Sequence, residues 1–329
     1  MNKPNIGSLT LAIIATLTLA ACSREAAPPN TEQQAQPEAP ASETSALSND
    51  QVNAQTFSIG EFTGFALRDG GLEFPNDNKI VGVGKTPEEI AQLLSAAGLP
   101  TDKLSLNIQP LLVKTPDRVL LFDTGAGANF GPSAGGLMKS MSEAGVEAAS
   151  VTDVFLSHPH GDHAGGLVTA EGALAFPNAT IHIAAADWAF LQGLDAETAA
   201  SIGLSNYESQ VAAMSPKVNA FKPGAELLPG VVKAVEIRGH TPGHSGFLIG
   251  SGDNSLLYIG DSMHHHVVSV QKPDWTIAFD RDAPTAQKSR AELIAQSAAS
   301  GQRIYAVHFP YPGLGKFEKR DDSYVWVAE

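Results

Sequence analysis

Cysteine is nearly missing from this chain: among 329 residues, Cys22 is the only one. Without a second cysteine no internal disulfide can form. Basic residues are scarce as well, 21 lysines and arginines against 35 acids, for a formal net charge of −14. A surface of that sign argues against nucleic acid or an anionic membrane as the main partner, because each demands a basic footprint. No apolar run has the length of a convincing membrane span. No internal repeat with a period on the order of 20–50 residues is visible. The segment VGVGKTP at 81–87 resembles the tail of a phosphate-binding loop, but the glycine required five positions before Gly84 is Lys79, which argues against a nucleotide site.

What is present begins with a targeting pattern. Lys3 precedes LTLAIIATLTLA, an apolar run of signal-peptide length, and the run ends in Leu19-Ala20-Ala21-Cys22. That ending resembles the bacterial lipobox, so residues 1–21 are expected to be a lipoprotein signal peptide and Cys22 the lipidated residue. Ser23, in place of an aspartate, implies sorting to the outer membrane, facing the periplasm. The protein is therefore expected to be exported and to meet the membrane only through its lipid. Removing 1–21 takes away one lysine and no acid, leaving 20 basic and 35 acidic residues and a net charge of −15. Residues 22–54 then form a linker rich in Ala, Pro, Glu, Gln and Ser, too polar to bury a core.

From residue 55 the pattern turns globular. TFSIGEFTGFALRDG alternates like early strands, and TPEEIAQLLSAAGL reads as a capped helix. LNIQPLLVKTPDRVLLFDTG gives two strands around a turn at Pro116-Asp117. A helix is expected in GLMKSMSEAGV and a long amphipathic one in APTAQKSRAELIAQSAASG, with VTDVFLS, ATIHIAAADWAFL, VVKAVEIRGHTPGHSGFLIG, NSLLYIGDS and RIYAVHFP contributing strands. Strands and helices alternate over 55–329, which predicts one α/β domain of sheets layered against helices.

The chemistry concentrates in SHPHGDHAGG at 157–166. His158, His160, Asp162 and His163 fall within six consecutive positions on a loop that follows a short buried strand. Neutral imidazole and carboxylate are preferred ligands of zinc and its first-row neighbours. Small residues around them let the backbone turn those side chains toward two adjacent points.

HxHxDH after a hydrophobic strand resembles the metallo-β-lactamase superfamily, and the rest of that pattern is present. Asp123-Thr124-Gly125 matches the early strand-end aspartate, while GHTPGHS, YIGDS and YAVHFP supply His244, Asp261 and His308. The resemblance implies a four-layer αβ/βα sandwich and two divalent metal ions, zinc first, with Mn, Co or Fe as alternatives. One ion would take His158, His160 and His244; the other Asp162, His163 and His308; Asp261 would bridge them. Asp162 and Asp261 would thus shape the reaction, with a hydroxide held between the ions attacking an electrophilic carbon or phosphorus. Asp123 would orient a metal-bound histidine from behind. His240, four residues before His244, would fix the GHTPGH loop. His265 and His266 read as loop residues, and His182, inside an apolar strand, as structural.

The absence of a second cysteine excludes the branch with a cysteine ligand, and Asp261 excludes the antibiotic-cleaving branch with histidine in its place. The acidity and the modest length exclude the RNA-processing members. The chain is most similar to the group containing N-acyl homoserine lactonases and methyl parathion hydrolase, through TPDRVLLFDTGAGANFGP, GDSMHHHVVSVQKPDWTIAFD and AVHFPYPGLGKF. Members of that group line the metal site with aromatic side chains, which suggests Phe130, Trp188, Phe190, Tyr207 and His264 as pocket residues. The expected substrates are small lactones or esters, with phosphotriesters as a promiscuous class, and the group suggests a homodimer. Two alternatives stand beside this: a glyoxalase-II-like thioesterase, and a non-catalytic periplasmic lipoprotein that keeps the fold as a binding module.

Overall fold

A computed structural model describes residues 53–329. The signal peptide, Cys22 and nearly all of the expected linker lie outside the described residues.

Two seven-stranded sheets dominate, and in each the strand order follows the chain. The first comprises β1 (Ala54–Ile59), β2 (Phe62–Leu67), β3 (Leu111–Lys114), β4 (Val119–Phe122), β5 (Asp153–Phe155), β6 (Thr180–Ala184) and β7 (Val218–Phe221). The second comprises β8 (Glu226–Leu228), β9 (Val232–Glu236), β10 (Ser245–Ile249), β11 (Leu256–Tyr258), β12 (Arg303–Tyr305), β13 (Leu314–Arg320) and β14 (Ser323–Ala328). β1 to β4 pair antiparallel and β4 to β7 parallel. In the second sheet only β11 and β12 run parallel.

The alternation of side chains along a strand explains the layering. On β4, Leu120 and Phe122 point between the sheets, where Phe122 stacks on Phe155 at 4.8 Å and meets Phe247 and Tyr258 of the second sheet. Leu121, between them, faces outward with Met141 of the helix Leu137–Glu143. On the other outer face, Ile259, Ile304 and Phe317 pack against Ile294 of the helix Ala283–Ser300. Helix, sheet, sheet and helix thus form the four-layer αβ/βα sandwich that the resemblance implies.

The capped helix is observed at Pro87–Ala96, where Thr86 and Glu89 close a reciprocal capping box and Pro87 opens the first turn. With the antiparallel pair Gly70–Pro75 and Lys103–Ile108 it builds a separate apolar cluster around Phe74, Leu106 and Trp275. β4 and β5 in the first sheet and β11 and β12 in the second all end on one edge of the sandwich. Residues just beyond strands at such an edge are held by the sheet yet free to face a cleft.

Phe122 is fully buried between the sheets, in contact with Phe155, Phe247 and Tyr258, and its removal would leave a cavity among them. Phe122→Ala is expected to lower unfolding free energy by about 3–5 kcal/mol, measured by denaturant titration of the chelated protein; a loss under about 1 kcal/mol would contradict this account of the core.

Candidate metal centre

Each strand end delivers its residue. Asp123 follows β4, the run from His158 to His163 follows β5, Asp261 follows β11 and His308 follows β12. All but Asp162 are essentially buried. The Asp261 carboxylate sits at the centre: Oδ1 lies 3.1 Å from His163 Nε2 and 3.0 Å from His308 Nε2. Oδ2 lies 3.3 Å from His240 Nε2, 3.1 Å from His264 Nε2 and 3.7 Å from His158 Nε2. Asp162 Oδ2 is 3.5 Å from both His163 and His308. Two ligand groups result, His158, His160, His240 and Asp261 on one side, and Asp162, His163 and His308 on the other. A third combination, Asp261, His264 and His308, shares members with both.

One expectation is corrected here. His240, not His244, enters the cluster: its Nε2 is 3.2 Å from His158 Nε2 and 3.0 Å from His160 Nδ1. His244 stands behind, its Nδ1 donating to the Ile237 carbonyl at 2.8 Å and its Nε2 accepting the Asp261 N–H at 2.9 Å, so neither nitrogen is left for a metal. Gly260 makes this contact, since with φ at +49° a Cβ there would lie 2.7 Å from His244 Nε2. His244 therefore positions Asp261, and the roles expected of the two histidines are exchanged.

The outer nitrogens of His163, His308 and His240 are tied from behind. Asp123, at a φ of +58°, accepts His163 Nδ1, the Ser157 N–H, the Ser157 hydroxyl and the Tyr258 hydroxyl, all at 2.7 Å. His308 Nδ1 donates to the Asn107 carbonyl at 2.6 Å, and His240 Nδ1 meets Asp280 Oδ1 at 3.1 Å. Such contacts hold the proton on the outer nitrogen and aim the inner lone pair at the centre.

The electrostatics fit a cation. Burial, reinforced by neighbouring imidazoles, keeps His158 and His160 well below the ordinary histidine range, in the neutral ligating form. Burial opposes protonation of His163 and His308 too, but the Asp261 and Asp162 carboxylates outweigh it and raise both. Asp261 itself is held well below the carboxylate range, because His163, His308, His264 and His158 overcome the cost of its burial. His163 Nε2, His308 Nε2 and Asp261 Oδ1 are buried without a well-formed hydrogen bond among the described residues. A divalent ion satisfies such groups, and the donor set of imidazole and carboxylate suits zinc, manganese, cobalt or iron.

A cleft with about 740 Å³ of empty space opens over this floor. Its wall is Leu72, Phe74, Leu106, Phe130, Ile202 and Phe279, with His264 at the metal side. Phe130 and His264, both expected as pocket residues, line this cleft. Trp188, Phe190 and Tyr207 are not among its lining residues; all three pack against the core cluster of the outer helix layer, the first two on the helix Ala185–Gln192 and Tyr207 at the start of the helix Tyr207–Met214. The wall comes instead from the strand pair 70–75 and 103–108, which the sequence reading left without a functional role. His265 caps its own loop by accepting Val267 N–H and Val268 N–H, and His182 is fixed between Asp153 and Asn219.

A model of the metallo-β-lactamase superfamily matches residues 107–308. Among solved structures, AidC, a dizinc quorum-quenching lactonase seen with the product N-hexanoyl-L-homoserine, is 29% identical, covering 84% of this chain and 97% of its own, with a TM-score of 0.77. AbOPH, a hydrolase of the β-lactamase superfamily, is 26% identical, covering 85% and 98%, with a TM-score of 0.76. No protein of curated function matches the sequence.

Asp187 was not singled out by sequence, yet it holds the loop that carries His240, accepting the Thr241 hydroxyl at 2.8 Å and the Gly243 N–H at 2.7 Å. Burial pushes its carboxyl up to about 7 from an ordinary 3.8. The folded state therefore keeps a proton that the unfolded chain has released, and this group's contribution turns against folding as pH rises across that window. Asp187→Asn keeps one donor and one acceptor without the charge. In metal-free protein the melting temperature of the variant is expected to gain on wild type from pH 4 to 7 and hold its advantage above; a gap that does not change with pH would refute it.

Proposed function

Because the chain belongs to the metallo-β-lactamase superfamily, whose fold and histidine–aspartate cluster it carries, we propose that this hydrolase is dinuclear and cleaves neutral lactones or esters bearing an apolar substituent. The observation that carries the proposal is the Asp261 carboxylate, one oxygen facing each of the two ligand groups. His158, His160 and His240 would hold one ion and Asp162, His163 and His308 the other, with Asp261 shared between the two groups. Two divalent ions so placed lower the pKa of a water and polarise the oxygen of a carbonyl or phosphoryl group.

The chain's own residues do the rest. His264, buried and within reach of both Asp261 and the cleft, is placed to donate a hydrogen bond to a substrate oxygen. Asp162, less buried than its neighbours, lies on the cleft side and holds its carboxyl in the ionised form through His163 and His308. Phe74, Phe130 and Phe279 receive an acyl chain or aryl group and exclude water from the reacting carbon.

One neighbour supports the lactone end of this range: AidC is a lactonase and its product is an acyl homoserine. The same wall would accept the alkyl arms of a phosphotriester, which we retain as a promiscuous activity. The thioesterase alternative is disfavoured where its substrate is anionic, since no lysine or arginine lines the cleft. Export and lipid anchoring at Cys22, toward the periplasm, belong to the same proposal and rest on residues 1–22; a mature chain whose mass begins at a lipidated Cys22 would bear this out. The homodimer that the resemblance suggests is likewise a proposal.

Purified protein of measured metal content is expected to hydrolyse acyl homoserine lactones with a higher kcat/KM than aryl esters or methyl parathion, and to lose activity on chelation and regain it with zinc. Asp261→Ala should cost roughly a thousandfold, the size of several kcal/mol of lost transition-state stabilisation. Full metal loading with no turnover of any of the three substrate classes would favour the binding-module alternative.

A further inference from the structure

One buried charge is unaccounted for by the site as described. Arg290, on the helix Ala283–Ser300, is 1% exposed and the largest of the fully buried side chains. A guanidinium so placed is costly unless its donors are satisfied, and an apolar residue of similar volume is often no worse for stability. Its donors are satisfied by two segments that lead directly to the metal centre. Nη2 donates to Asp280 Oδ2 at 2.6 Å, and the other Asp280 oxygen meets His240 Nδ1 at 3.1 Å. Nε donates to the carbonyl of Ser262, the residue after Asp261, at 2.7 Å. Nη1 completes the set on the carbonyls of Pro273 and Trp275, at 3.0 and 3.3 Å.

The backbone closes the same junction. Arg281 N–H donates to the His240 carbonyl at 3.2 Å and Asp282 N–H to the Gly239 carbonyl at 2.9 Å. Gly239, at a φ of +115°, permits this approach, since a Cβ there would lie 2.2 Å from the Ala286 nitrogen.

We infer that Arg290 and Asp280 are positioning residues that clamp His240 against Asp261, so that one metal position depends on a buried ion pair and the other does not. The contrast lies within the site. Asp123, the carboxylate behind His163, is held by the neutral donors of Ser157 and Tyr258. Asp280 is held by a cation that also fixes the Asp261 segment. Ionised and immobile, Asp280 can only accept from His240 Nδ1, which leaves the Nε2 lone pair for the metal. An asparagine at 280 could instead offer its amide N–H to Nδ1, favouring the tautomer that carries its proton on Nε2 and cannot ligate.

This inference rests on the dinuclear reading above, and the test separates the two. Zinc and cobalt titrations of the metal-free full domain would be run on wild type, Asp280→Asn and Arg290→Lys, with release to a chelator timed in each. Wild type is expected to bind two equivalents. Asp280→Asn should weaken one of them by about 10–100-fold, the cost of losing a partner behind a ligating histidine, and leave the other within about threefold. Arg290→Lys, which keeps the charge and loses the fork, should weaken the same equivalent by less, and serves if Asp280→Asn does not fold. Equal weakening of both equivalents, or of neither, overturns the clamp while the metal site stands. Wild-type protein that binds no metal overturns the dinuclear reading and the clamp with it.

Discussion

A carboxylate with histidine nitrogens on both sides is the contact around which this molecule is arranged. Five imidazoles approach the two oxygens of Asp261 within 3.0–3.7 Å. An isolated buried carboxylate is expensive, so its burial requires those partners. The imidazoles bring their own difficulty, because His158, His160 and His240 turn ring nitrogens toward one another at 3.0–3.2 Å. Neutral lone pairs brought so close repel unless a proton or a metal ion lies between them, and burial of His158 and His160 disfavours the proton. The cluster is therefore complete only with cations, and the sandwich supplies the rigidity that keeps it from relaxing without them.

That rigidity is built from outside inward. Asp123 reaches Tyr258 of the opposite sheet, so the hydrogen bond that fixes His163 also ties the two sheets together. His308 is bound to Asn107 through the carbonyl that its imidazole uses and through the Asn107 N–H returning to its own carbonyl. His244 fixes the backbone of Asp261 and not the metal. Ligand geometry at such a site is a property of packed strand ends, and a small displacement in either sheet is felt at the centre.

What the sequence reveals depends on whether the information is local. His158, His160, Asp162 and His163 are legible because six consecutive residues hold all four, and the capped helix at 87–96 because its cap and apolar spacing lie in one stretch. GHTPGH is not legible in the same way: two histidines four apart on an irregular loop offer equal claims, and only the backbone of Gly260 and the carbonyl of Ile237 decide between them. Trp188 and Phe190 misled for a related reason. Aromatic residues on a short apolar helix do not state which neighbours the helix packs against, and here they pack into the cluster of the outer helix layer and are not among the residues that line the cleft. Arg290 and Asp280 were invisible because an arginine within an amphipathic helix reads as solvated until a distant loop is seen to surround it.

Charge bears on the neutral substrate proposed for this floor. Of the groups that touch the cluster, the four carboxylates of Asp123, Asp162, Asp261 and Asp280 and the one guanidinium of Arg290 sum to −3. Two divalent ions would bring that to +1, too little to draw a multiply charged anion into a cleft whose wall is otherwise mostly hydrocarbon. Beyond the cleft the surplus of acids repels anions over about 8 Å, the screening length at physiological salt. A lactone or ester carbonyl escapes both effects, since it brings no charge to desolvate and gains polarisation only at the metals. On that proposal the apolar wall would select for what is attached to the carbonyl, which would put substrate choice in Leu72, Phe74, Phe130 and Phe279 and leave the histidines to the chemistry.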